Sequence, residues 1–119
     1  MSRIMEMAKD LGNAMARTDE YQALRRAIKD VEADEDLQGY QKTLQELEAS
    51  IAPKLQAGEQ PDPEDAQKYE ETVGQLQTNM VYQRLVAAQT NFDKIVQKVN
   101  GTIAKGIEEG ADSRIILAP

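Results

Sequence analysis

The residues of this 119-residue chain able to do chemistry are carboxylates, lysines and arginines, because the sequence contains no Cys and no His. Without them there is no thiolate nucleophile, no imidazole base and no soft metal ligand. Asp34-Glu35-Asp36 is the densest acidic group. Hard cations want six or more oxygens, supplied from a turn rich in Asp, Asn and Gly, and no such turn surrounds this trio. It reads instead as the start of a helix. Glu70-Glu71 and Glu108-Glu109 are adjacent pairs. On a helix, neighbours in sequence do not share a face, so neither pair has the arrangement of an acid and base working together. Lys94, Lys98 and Lys105 recur at near-helical intervals beside Asn91, Gln97 and Asn100. Such a row could meet RNA phosphates, but with a negative net charge and no stacking aromatics it fits better the wet side of a helix opposite the apolar stripe. Glycine-rich phosphate loops, nucleophile elbows and metal-ligand spacings are absent from the sequence. No catalytic residue, metal or cofactor is expected.

Those side chains are carried by segments with strong helical periodicity. Val81, Leu85, Ala88, Phe92, Ile95, Val99, Ile103 and Ile107 step by three or four along the last long segment. This spacing makes one apolar stripe that only other helices can cover. If 81–109 is one helix it is about 43 Å long, more than a compact domain of this size readily buries. Leu37, Tyr40, Leu44, Leu47, Ile51 and Leu55 form a second stripe. A first amphipathic stretch carries Ile4, Met7, Ala8, Leu11 and Met15, and Gly12 inside it suggests a close helix–helix approach. Thr18 before Asp19-Glu20 is a helix start, leading to Tyr21, Leu24, Ile28 and Val31. Asp34 either caps a fresh helix or sits in a bend. Pro53 predicts a kink or an end near Ser50, since proline removes a donor and crowds the preceding turn.

Ala57-Gly58-Glu59-Gln60-Pro61-Asp62-Pro63 is the clearest loop, with Asp62 suited to cap the next helix and Pro63 to begin it. Asn79 suggests a break before the final helix. The expected fold is all-α: a bundle of four to five helices, with long amphipathic helices, in a single domain over 1–110, followed by a flexible tail over 111–119. A lone Phe, no Trp and four Tyr leave an aliphatic core. With 21 acidic and 14 basic residues the net charge is −7, which opposes non-specific binding to nucleic acid or anionic lipid. No run approaches the roughly 18 apolar residues of a membrane span, and the first residues are not those of a signal peptide. Cytoplasmic residence is the expectation.

The partner reading follows from the stripes. Leu37, Tyr40, Leu44, Leu47, Ile51, Val81, Leu85, Ala88, Phe92, Ile95, Val99 and Ile103 are the candidate interface with a second copy or another helical protein. The alternative is a structural or chaperone-like homo-oligomer without a regulated partner. Direct nucleic-acid contact is disfavoured.

The sequence resembles the YlbF/YmcA family of small bacterial helical proteins. The likeness lies in Leu11-Gly12-Asn13-Ala14, Thr18-Asp19-Glu20-Tyr21, Ala27 and Asp34-Glu35. It continues through Asn79-Met80-Val81, Leu85, Ala88, Asn91, Phe92, Ile95 and Asn100, spanning roughly residues 5–107. The resemblance implies a self-associating or relative-binding helical adaptor, regulatory rather than catalytic, in competence, sporulation and biofilm formation. It implies action through a complex that modulates a membrane-associated endoribonuclease and messenger-RNA maturation. Some family complexes hold iron–sulfur clusters through cysteine; this chain, with no Cys, departs from that pattern.

Overall fold

Five helices make up the computed structural model, which describes the backbone of residues 2–117 and the side chains of residues 2–111. They are α1 (Arg3–Ala16), α2 (Asp19–Ala33), α3 (Glu35–Gln56), α4 (Pro63–Thr78) and α5 (Met80–Leu117). Among the described residues there is no strand.

Short polar side chains punctuate the chain where the sequence expects them. The Thr18 hydroxyl accepts from the Tyr21 N–H at 3.2 Å and donates to the Met15 carbonyl at 2.7 Å, so one residue closes α1 and opens α2. Asp34 does the same between α2 and α3: its Oδ1 accepts from Leu37 N–H at 2.9 Å, which settles the acidic trio as a cap followed by a first turn. Asn79 Oδ1 accepts from both Val81 and Tyr82, at 2.8 and 3.0 Å, and starts α5. Each satisfies donors that a helix start otherwise leaves unpaired.

Three expectations change. Pro53 does not end α3 near Ser50; the helix runs on to Gln56. Proline there removes a bond only near the helix end, and the closure just beyond is strong. Glu59 N–H donates to the Lys54 carbonyl and Gly58 N–H to that of Leu55, at 2.8 and 3.1 Å, with Gly58 at φ 76°. That paired closure needs a left-handed residue, which glycine supplies. Asp62 precedes α4 but its side chain makes no capping bond; it accepts instead from Lys54 Nζ across the loop. Gly12 meets no neighbour: a Cβ built on it has nothing within 4 Å, so the close approach is not made within one chain. The helical backbone of α5 runs to Leu117. Residues 118–119 of the expected tail lie outside the described residues.

The helices form two antiparallel pairs. The Tyr21 ring, at the start of α2, lies 5.1 Å from that of Phe92 and tilted 59° to it, while Val31, at its end, shares a groove with Tyr82 and Leu85. α2 therefore runs back along the first part of α5. α3 and α4 form a hairpin, with Tyr40 near Thr72 at one end and Leu55 near Ala66 at the other. The pairs join at the Asp34 and Asn79 caps, and α1 is held chiefly at α2.

This arrangement is open. The radius of gyration is 22.3 Å and the extents are 71 × 37 × 26 Å. A compact chain of this length has a radius near 13.5 Å, by the scaling about 2.2·N^0.38 Å. The accessible surface is 9423 Å², roughly 3,000 Å² more than a compact monomer of the same mass presents. Among the described residues only Ala27, Leu37, Leu47, Ala88 and Thr72 are buried. The Thr72 hydroxyl donates to the Lys68 carbonyl at 2.8 Å, so this buried polar group is satisfied.

Candidate protein-interaction surfaces

The twelve residues expected at an interface divide by depth. Leu37, Leu47 and Ala88 are already buried inside the chain and belong to its own core. Leu37 sits where α2, α3, α4 and α5 meet, Leu47 on α3 further along, and Ala88 opposite Ala27 where α2 crosses α5. Small residues at that crossing let the two backbones approach. Tyr40, Leu44, Ile51, Val81, Leu85, Phe92, Ile95 and Val99 are half-buried. Ile103 is exposed, as is Ile107 beyond it.

Three apolar surfaces result. At the junction, Val31, Leu37, Leu44, Leu76, Tyr82 and Leu85 line a groove of about 340 Å³, edged by Gln41, Gln45 and Glu48. At the hairpin tip, Ile51, Ala52, Leu55, Pro61, Ala66 and Tyr69 line one of about 430 Å³, flanked by Glu48 and Glu70. Lys54 and Asp62 pair beside it, and the hydrogen bond from Lys54 to Asp62 raises the lysine's pKa above its ordinary value, helped by the Asp62, Glu59 and Asp65 charges. The third surface comprises α1, where no residue is buried and Ile4, Met7 and Leu11 face outward, together with the far part of α5. The sequence shows α1 as amphipathic, yet its face is not among the expected interface residues. The missing signal was a partner: among the described residues no other helix buries that face.

Asp34 is engaged in its cap, Glu70 and Glu71 are exposed on α4, and Glu108 and Glu109 are exposed on α5. Among the described residues no three acidic side chains converge to hold a metal ion. Lys94, Lys98 and Lys105 are all exposed, on the side of α5 opposite the apolar ladder. No described helix is long and apolar enough to cross a membrane.

Among the described residues the chain is an open array of five helices with apolar grooves on its surface. Comparison with known proteins gives this architecture a family. The model of the family described as control of competence regulator ComK, YlbF/YmcA, matches residues 4–108, and the chain belongs to this family. A UPF0342 protein of Staphylococcus saprophyticus is 26% identical over 106 residues, covering 89% of this chain and 93% of its own. Another, of Lactobacillus acidophilus, is 28% identical over 109 residues, covering 92% and 94%. In fold, the chain is similar to one in the crystal structure of Bacillus subtilis RicA in complex with RicF: TM-score 0.80, 17% identity, 92% of this chain and 96% of that one. A protein of unknown function (DUF964) from Bacillus stearothermophilus aligns with TM-score 0.61 and 21% identity, over 91% and 95%.

Proposed function

We propose that this protein is a non-catalytic helical adaptor that regulates a partner protein by binding it. The family match across residues 4–108 carries the reading, since that family is described by control of a competence regulator. Two further observations support it. The chain leaves far more surface uncovered than a compact monomer, much of it apolar. Its fold is similar to a chain from a complex of RicA with RicF. Within this proposal the contact residues are Tyr40, Leu44 and Ile51 on α3 and Val81, Leu85, Phe92, Ile95, Val99 and Ile103 on α5, with Leu37, Leu47 and Ala88 supporting them from beneath. The setting is the cytoplasm, the target an RNA-processing or developmental regulator, and a second copy of the chain is among the partners. No cofactor takes part.

The test is a cross-linked pull-down of the tagged protein from its native cells, quantified by mass spectrometry with and without ribonuclease. Recovery of a second protein in both conditions is expected. Recovery that vanishes with ribonuclease would replace protein contact by RNA contact, and replacing Lys94, Lys98 and Lys105 together by Glu would then abolish it in a salt-sensitive manner. Recovery of the tagged chain alone would favour a structural homo-oligomer.

A further inference from the structure

We propose, building on the reading of the chain as an interaction protein, that the groove between α3 and α4 seats a short basic amphipathic helix of a partner protein. The partner's apolar side lies in the groove, and its Lys or Arg side chains meet carboxylates at both ends. The seat is made of two helix faces. Glu48, Ile51 and Leu55 stand at i, i+3 and i+7 on α3, and Ala66, Tyr69 and Glu70 at i, i+3 and i+4 on α4, so each set lies along one side of its helix. Side by side they form a trough of about 430 Å³. From Glu48 to Leu55 it runs for roughly 10 Å, at 1.5 Å per residue. A trough between two antiparallel helices takes a third helix, whose own apolar side chains at i, i+3 and i+7 match that length. Among the described residues none of α1, α2 or α5 lines it, and Leu55 is 60% exposed.

Charge selects the occupant. Residues 48–71 hold seven acidic and two basic side chains, a net −5 out of the −7 of the whole chain. Because the hairpin is antiparallel, Glu48 and Glu70 stand at the inner end of the trough, while Glu59, Glu64 and Asp65 belong to the tip end, in the loop and the first turn of α4. Neither lysine of this stretch offsets them in the groove. Lys54 is paired with Asp62, and Lys68 lines a separate groove with Tyr40 and Thr72. An apolar floor between two acidic ends fits an apolar stripe flanked by cations, each cation meeting a carboxylate as the helix docks. An acidic helix, or the hairpin of a second copy with its own −5, meets like charge there. Anionic lipid is repelled for the same reason.

Fluorescence anisotropy on the purified full chain tests this, with a labelled helical peptide that carries leucines at i, i+3 and i+7 and lysines on the turns before and after them. Saturable binding is expected, lost when the peptide's lysines become glutamates or its leucines are moved off one face. Glu48→Lys together with Glu70→Lys should weaken binding by about tenfold or more. Glu108→Lys with Glu109→Lys changes the net charge by as much but lies on α5, and should leave binding unchanged. Leu55→Ser should weaken it by about fivefold through lost apolar contact. All these side chains are exposed, so each variant should keep its helicity, which circular dichroism checks. No binding, binding indifferent to the peptide's charge or apolar face, equal losses from the two charge pairs, or no effect of Leu55→Ser would overturn the proposal. Peptide binding that lowers the mass measured by light scattering would give the seat to a second copy and overturn it too. Failure here while the cross-linked pull-down still recovers a second protein would remove this seat alone; the adaptor reading falls only when that pull-down recovers no second protein.

Discussion

Truncating Leu37 to alanine should be the most damaging single aliphatic change in this protein. Leu37 is 2% exposed, the least accessible of the few apolar side chains the chain buries, and it lies where both helix pairs meet. Leu→Ala in a core costs about 2–5 kcal/mol, the lower part applying where the site can relax or admit water. Here the adjoining groove of about 340 Å³ is open, which argues for about 3 kcal/mol. With an unfolding entropy of about 0.25 kcal/mol/K for a chain of this length, the melting temperature should fall by about 12 °C. The assay is thermal unfolding followed by circular dichroism at fixed protein concentration, with Leu55→Ala as the matched control. Leu55 belongs to the same helix and the same apolar stripe but is 60% exposed, so its truncation should cost about 1 kcal/mol or less. A drop below about 4 °C for Leu37→Ala, or equal drops for both, would refute the placing of the core at the junction.

Further expectations follow from the same geometry. Asn79→Ala removes the side chain that accepts from two N–H groups at the start of α5 and should cost about 1–2 kcal/mol, with Asn79→Asp restoring most of it in the same melting assay. Gly101→Ala should raise the melting temperature by about 2–4 °C, because a Cβ there meets nothing within 4 Å and the helix gains about 0.5–1 kcal/mol of propensity; a loss would reveal a hidden contact on that face. With neither His nor Cys, the chain has no side-chain type whose ordinary pKa lies between about 5 and 8. Lys54, raised by Asp62, keeps its pairing below the ordinary lysine value and loses it only as pH climbs through the higher folded value. Melting temperature should therefore stay flat from about pH 6 to 8, and a step of several degrees in that range would contradict this.

Much of the fold was legible because its boundaries rest on local chemistry. Thr18, Asp34, Asn79 and Pro63 mark helix starts through their own side chains or rings, and the structure places starts at each. Gly58 closes α3 because its backbone conformation is one that other residues avoid. Pro53 misled because the signal for a break is local while the outcome depends on its distance from the helix end. Gly12 misled for the opposite reason: a small residue allows close approach without supplying the helix that approaches. The apolar ladder on α5 was equally plain as a stripe, yet its division into covered and uncovered parts was not. Ala88 and Ile107 belong to one pattern, but Ala88 is buried and Ile107 is 68% exposed. What separates them is where α2 stops alongside α5, a fact of tertiary register that periodicity does not encode. Lys94, Lys98 and Lys105, by contrast, fall opposite the ladder by spacing alone.

The central claim is that this chain is open by itself and is completed by protein contact. Small-angle X-ray scattering on the purified protein tests it directly, because the scattering reports mass and dimension together. The account predicts a particle heavier than 13.3 kDa with a longest dimension of at least the 71 Å spanned by one chain. A particle of one-chain mass with a radius of gyration near 13.5 Å, the compact value for this length, would contradict it, since the surfaces described as awaiting a partner would then be folded onto the chain itself.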